Sequence, residues 1–183
     1  ILITNPGRKN YFIDFLIRIK KFFLPKMQIH LCDANENSSS FYVSNLVKNH
    51  ITPNCEHKDK YYNSILKIIK KNKINLVIPL TDLDLHILSK KKVELKKFKC
   101  ETLISNSKII NICTNKILTH QFLVKNSLPT PKTLLATKKK NLKLPLIIKD
   151  IRGNSSQGFK VIKKDSDLNL IECKNKVLQE YIK

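Results

Sequence analysis

Strand-like and helix-like segments take turns through the first hundred residues, and no other feature limits the fold of this chain so tightly. ILIT at 1–4 is an apolar run of the buried-strand kind, and residues 10–23 place apolar side chains at helical spacing. MQIHLCD at 27–33 reads as a strand ending in Asp33, and residues 41–51 as a short helix and a short strand. DKYYNSILKIIKKN at 59–72 is amphipathic, with Tyr62, Ile65, Leu66 and Ile69 expected on one face. A strand at 75–80, a helix from about 82 to 97 and a strand at 100–105 complete the series. Units of this length predict a parallel sheet with helices on both sides. Such sheets bind ligands at the carboxyl ends of their strands, where Gly7, Asp33 and Asp82 fall.

From residue 106 the pattern changes. SKIINIC and NKILTHQFLVKN read as two helices, the second starting near Thr114 or Asn115. SLPTPKT follows as a stiff extended connector, because each proline bars helix for itself and disfavours it one residue earlier. PLIIKD (145–150) and FKVIKK (159–164) predict an antiparallel pair joined by a polar loop, then a capped helix at 165–174 and a closing strand, VLQEYIK. The expected domains are an α/β unit over 1–113 and a small α+β unit over 114–183. The chain opens on Ile1 and closes inside a strand-like run, so it reads as part of a longer or split protein.

Composition narrows the function classes. Five widely spaced cysteines without a CxxC read as reduced thiols, hence a cytoplasmic expectation. The His50, Cys55, His57 grouping matches no standard zinc spacing, and no run is long enough to suggest a membrane span. The net charge of +21 raises a nucleic-acid reading. Against it, only Arg8, Arg18 and Arg152 are arginine, and the charge is even: 20 basic and 9 acidic residues in 1–113, 15 and 5 in 114–183. A nucleic-acid face concentrates charge and favours the bidentate fork of arginine. The lysines therefore read as a solvated surface.

Glycine marks where a backbone comes close to a ligand or turns left-handed. There are three: Gly7 after the first strand, and Gly153 and Gly158 bracketing the loop between the antiparallel strands. Gly7 lacks a GxGxxG context, so a tight turn accounts for it and no dinucleotide fingerprint is present. Lys149 closes an apolar strand, and RGNSSQG follows. Such a loop can donate N–H and hydroxyl groups to a polyphosphate while the lysine neutralises its charge.

Read in order, these residues resemble the ATP-grasp family, in particular proteins of the carbamoyl-phosphate synthase large-subunit kind. The features are Lys149 on a strand, the loop from Gly153 to Gly158, the return strand FKVIKK, the helix DSDLNLIECK and the closing Gln179-Glu180-Tyr181-Ile182. Upstream stand Asn115-Lys116 opening a helix, the Pro129-Thr130-Pro131 connector, and TNPGRK, DAN and IPLTDLD in a first domain similar to a Rossmann-like pre-ATP-grasp domain. The resemblance implies that Lys116 and Lys149 contact ATP phosphates and that Gly153, Ser155, Ser156 and Gly158 cover them. It also implies that Glu180, Tyr181 and Ile182 form a hinge whose backbone reads adenine, with Ile148 and Ile182 as apolar walls. The lysine strand and the Gln-Glu-Tyr-Ile strand are expected as opposite walls of one slot. Asp33, Thr81, Asp82 and Asp84 would bind acceptor substrate or cap helices.

The chain departs from the family pattern at four places. Asp150 stands where proline is frequent, and a carboxylate suits a phosphate site only if it turns away or meets Mg²⁺. Ser155 and Ser127 replace common glycines, and Asp84 a common glutamate. The implied activity is ATP-dependent carbon–nitrogen ligation, in which a carboxylate or bicarbonate becomes an acyl phosphate that an amine or ammonia attacks. Its partner would be a C-terminal ATP-grasp lobe in cis or in trans. The implied Mg²⁺ ligands lie beyond residue 183, so the 183 residues alone are expected to be inactive and to contain no catalytic or metal-ligating residue. A non-catalytic nucleotide-binding module and a basic nucleic-acid-binding protein stand as the alternatives.

Overall fold

The computed structural model describes residues 1–138, 143–153, 159–169 and 172–182. The chain divides into two compact units, Ile1–Ser107 and Lys108–Lys183.

The first unit is a five-stranded parallel sheet in the order β3-β2-β1-β4-β5. Its strands are β1 (Leu2–Thr4), β2 (Ile29–Asp33), β3 (Val47–Ile51), β4 (Leu76–Pro79) and β5 (Glu101–Thr102). Alternation along the strands feeds two cores. Leu2, Cys32 and Val77 point to one face, under α2 (Lys58–Asn72) and α3 (Leu85–Lys96). Ile3, Ile29 and Leu31 point to the other, under Ile13, Leu16 and Ile17 of α1 (Asn10–Phe22) and Phe41 of a 3-10 turn at Ser39–Tyr42. Each fully buried aliphatic side chain of this kind contributes about 1.5–3 kcal/mol of transfer free energy. On α2 the buried face is Tyr61, Tyr62, Ile65, Ile68 and Ile69, while Leu66 is only partly buried. The expected stripe is thus rotated toward Ile68, because the sheet and not the widest apolar arc sets which residues turn inward.

The order reverses between β1 and β4, both parallel to each other, so the crevice of the sheet opens at their carboxyl ends. The loops there hold Asn5–Gly7 and Thr81–Asp84.

In the second unit, α4 (Ser107–Cys113) and α5 (Lys116–Lys125) precede an antiparallel sheet in the order β6-β9-β7-β8. Its strands are β6 (Thr133–Leu135), β7 (Leu146–Asp150), β8 (Lys160–Ile162) and β9 (Lys176–Glu180), with α6 (Asp165–Asn169) between the last two. The Asn115 side chain caps α5, accepting from the N–H groups of Ile117 at 3.0 Å and Leu118 at 3.1 Å. Leu146, Ile148, Ile162, Leu178 and Ala136 build the core of the unit. β6 was not expected as a strand. The proline connector sets an extended backbone, and β9 supplies the ladder that turns the end of it into one.

Candidate functional site

Register decides which side chains meet in the second unit. β7 pairs antiparallel with β9, Lys149 opposite Val177 and Ile147 opposite Gln179. Lys149, Val177 and Gln179 therefore share a face, and Ile148 and Leu178 point the other way into the core. The Lys149 ammonium donates to Gln179 Oε1 at 2.5 Å, Gln179 Nε2 donates to Thr133 Oγ1 at 2.7 Å, and Thr133 Oγ1 donates to Pro131 O at 2.9 Å. This chain of bonds aims the amine and runs back to the proline connector.

Lys116, the first residue of α5, is brought to the end of the same strand. Its backbone N–H donates to Ile151 O at 3.1 Å and its Nζ to Gly153 O at 3.2 Å. Burial lowers the basicity of Lys149, and the nearby positive charge of Lys116 lowers it further. Two ammonium groups so placed form a focus for a polyanion. A cavity of about 460 Å³ lined by Asn115, Asp150, Ile151, Arg152 and Asn175 adjoins this strand end.

Two expectations change. The lysine strand and the Gln-Glu-Tyr-Ile strand are hydrogen-bonded neighbours, so they make one wall and not two opposing ones. Ile148 is 2% exposed in the core and cannot flank a ligand on the Lys149 face. Asp150 resolves the concern about a carboxylate beside phosphate. Alternation turns it away from Lys149, and it pairs with Lys176 Nζ at 3.0 Å.

Gly153 carries a different message. Its φ lies outside the left-handed region, and an added Cβ would meet Asp150 Cβ at 3.5 Å, an ordinary contact. The fold itself does not require glycine there. Ser155, Ser156 and Gly158 lie outside the described residues. At the far end of β9 the Glu180 N–H donates to Lys132 O at 2.9 Å, and Glu180 Oε2 accepts from the Lys132 N–H at 3.3 Å. Tyr181 and Ile182 follow, both exposed. Gln179 and Arg152 stand in the motifs named from the sequence, but the sequence gives neither a role of its own. Gln179 matters only once the register is known, whereas Arg152 had a visible signal as the single arginine in residues 114–183.

In the first unit, Asp84 holds the N-cap position of α3 without a side-chain cap. It is fully buried and accepts from Tyr61 Oη at 2.6 Å, and Tyr61 Oη accepts from Asn5 Nδ2 at 3.2 Å. Burial pushes the Asp84 carboxyl up, against the pull of Thr4 and Tyr61. Asp84 thus braces the β1–α1 turn from within. Asp33 accepts from the Gly7 N–H at 3.4 Å, and Asp82 is exposed ahead of α3. Among the described residues no three His, Cys, Asp or Glu side chains converge as a metal site, and no helix is long and apolar enough to cross a membrane.

Comparison with known proteins follows the same two parts. The family model described as PylC-like, N-terminal domain, matches residues 1–103, and the one described as ATP-grasp domain matches residues 113–183. No curated protein matches the chain. Among solved structures, L-amino acid ligase from Bacillus licheniformis is similar at 16% identity and TM-score 0.75, over 99% of this chain and 44% of that one. N5-carboxyaminoimidazole ribonucleotide synthetase from Thermotoga maritima gives 17% and 0.69, over 100% and 46%. The biotin carboxylase domain of 2-oxoglutarate carboxylase from Hydrogenobacter thermophilus, in complex with MgADP, ADP and bicarbonate, gives 14% and 0.69, over 100% and 44%. These likenesses establish the fold, and the chain spans less than half the length of each of the three. The chain belongs to the ATP-grasp superfamily, with a PylC-like N-terminal domain ahead of its ATP-grasp portion.

Proposed function

We propose that this chain is the ATP-binding part of an ATP-grasp ligase that activates a carboxylate or bicarbonate for attack by an amine or ammonia. The observation that carries the reading is that Lys116 is bonded to Ile151 O and Gly153 O just beyond the strand that ends in Lys149 and Asp150, next to a glycine that the fold does not need. ATP supplies a phosphoryl group that makes the carboxyl carbon an acyl phosphate. This chain binds and orients: the two ammonium groups take the phosphate charge, and the Gln179–Thr133 relay holds the Lys149 amine in place. Gly153, with Ser155, Ser156 and Gly158, is assigned to cover the phosphates. Of the hinge, the Glu180 N–H is committed to Lys132, which leaves Tyr181 and Ile182 to meet the base. As the resemblance implies, the magnesium ligands are assigned to a C-terminal lobe outside these 183 residues. A carbamoyl-phosphate-synthase-like reaction is the finer form of the proposal, resting on the ordered motifs alone.

Titration of the chain with MgATP tests it. Lys149→Ala and Lys116→Ala are each expected to weaken binding roughly tenfold or more, the scale of one charge-assisted hydrogen bond. Unchanged affinity in both variants would overturn the reading. Product formation by this chain combined with a C-terminal ATP-grasp lobe, in cis or in trans, separates a ligase from a non-catalytic nucleotide module, and ATP-dependent ligation by the 183 residues alone would contradict the assignment of catalysis to outside partners.

A further inference from the structure

Holding two ammonium groups together costs free energy, because like charges repel and burial weakens their hydration. Something must keep Lys116, on α5, beside Lys149, on β7, before any anion arrives. Two bonds are already described: the Lys116 N–H to Ile151 O and Lys116 Nζ to Gly153 O. The third is a side chain. Arg152 Nη1 donates to Thr114 Oγ1 at 2.8 Å, and Arg152 Nη2 donates to Asn111 Oδ1 at 2.5 Å. Asn111 belongs to α4 and Thr114 to the turn before α5. Thr114 Oγ1 donates its own proton to Ile110 O at 2.8 Å, which leaves its lone pairs facing the guanidinium. One planar group therefore grips a helix and the turn that follows it.

Residue type supports the same point. This chain uses lysine almost wherever it needs a cation, yet keeps arginine at 152. A lysine ammonium is a single mobile point charge, whereas a guanidinium presents donors in a rigid fork that can span two acceptors.

We propose that Arg152 is a positioning residue that bridges Asn111 and Thr114, fastens the end of β7 to the α4–α5 corner, and so holds Lys116 and Lys149 within reach of one polyphosphate. The inference rests on the polyphosphate reading of that lysine pair. It assigns Arg152 no contact with the nucleotide.

The test compares Arg152→Gln with the charge-preserving double variant Asn111→Ala/Thr114→Val in the full 183-residue chain. Two readouts are taken: the ¹³Cε NMR titration of the Lys149 side chain, and affinity for MgATP. In the unaltered chain Lys149 titrates below an ordinary lysine. Both variants are expected to raise that titration by the part Lys116 contributes, burial being the larger cause and remaining, and to weaken MgATP roughly tenfold. Adding Arg152→Gln to the double variant is expected to weaken it little further, since the bridge is already gone. A double variant that keeps both the Lys149 titration and the MgATP affinity would overturn the proposal, since any loss in Arg152→Gln would then be one of charge alone. If the Lys149 titration shifts in both variants while MgATP leaves Lys149 unperturbed in every chain, the bridge stands and the ATP reading falls.

Discussion

Left-handed backbone in this chain is built mostly without glycine. Asn5, Lys73, Lys99, Ser127 and Asn175 all have positive φ, and Gly7 is the described glycine that shares that region. For an L-residue this conformation costs about 1–2 kcal/mol, and asparagine bears it best. Lys73 and Lys99 bear it poorly. Each is expected to gain about 0.5–1 kcal/mol on substitution by glycine, the lost strain exceeding the entropy of a freer unfolded chain. Urea midpoints of Lys73→Gly and Lys99→Gly check this, and a fall in both midpoints would contradict it. Gly153 is the converse case. Gly153→Ala is expected to stay within about 0.5 kcal/mol of the unaltered chain in stability, since the added methyl makes only an ordinary contact with Asp150 Cβ, yet to weaken MgATP, because a side chain restricts the backbone at the residue assigned to cover the phosphates. Equal loss of stability and affinity would instead mark Gly153 as structural.

Between elements, the cross-strand pair His30–His50 joins β2 to the edge strand β3. His30 Nδ1 and His50 Nε2 lie 2.9 Å apart, with the rings parallel to within 6°. One nitrogen must donate and the other accept, so at least one ring has to be neutral. His30 is lowered to about 4 by burial first, then by His50, the N-terminal amine and Lys48. His50 is lowered by burial, Lys71 and Lys48. A depressed folded-state pKa means that the unfolded chain binds protons more readily. The contribution to stability is then complete above about 6.5 and is lost progressively as pH falls toward about 4. Denaturation midpoints at pH 7.5 and 5 should therefore drop less in His50→Gln than in the unaltered chain. Equal drops would show that the pair does not link proton binding to folding. The elements themselves were largely legible: β1, α1, α2, β4, α4, α5, β7 and β8 lie where periodicity and capping residues put them. β6 was not, since a three-residue strand has no pattern of its own until β9 lies beside it. α3 begins at Leu85 instead of near 82 because Asp84 turns inward to Tyr61 rather than capping outward from the loop.

At the scale of the whole molecule, a charge of +21 distributed almost evenly makes a weak, general attraction for polyanions. Binding to duplex DNA is expected to be non-specific, to fade steeply as salt rises, and to be indifferent to Lys149→Ala. Salt-resistant DNA binding that is abolished by Lys149→Ala would displace the nucleotide reading in favour of a nucleic-acid site. MgATP binding should show the opposite pattern, sensitive to Lys149→Ala and less dependent on bulk charge.

Alternating apolar periods and proline placement were enough to specify a parallel α/β unit followed by a small antiparallel one, because those signals are local and each element carries its own. The ordered Lys116, Lys149, Gly153 and Glu180 motif also belongs to the linear chain. Which face each residue occupies does not. Placing Lys149 beside Gln179, sending Ile148 into the core and turning Asp150 toward Lys176 all follow from the β7–β9 register, which is a contact between segments distant in sequence. The grip of Arg152 on Asn111 and Thr114 is likewise a product of tertiary packing, since only the folded unit brings the end of β7 to the α4–α5 corner.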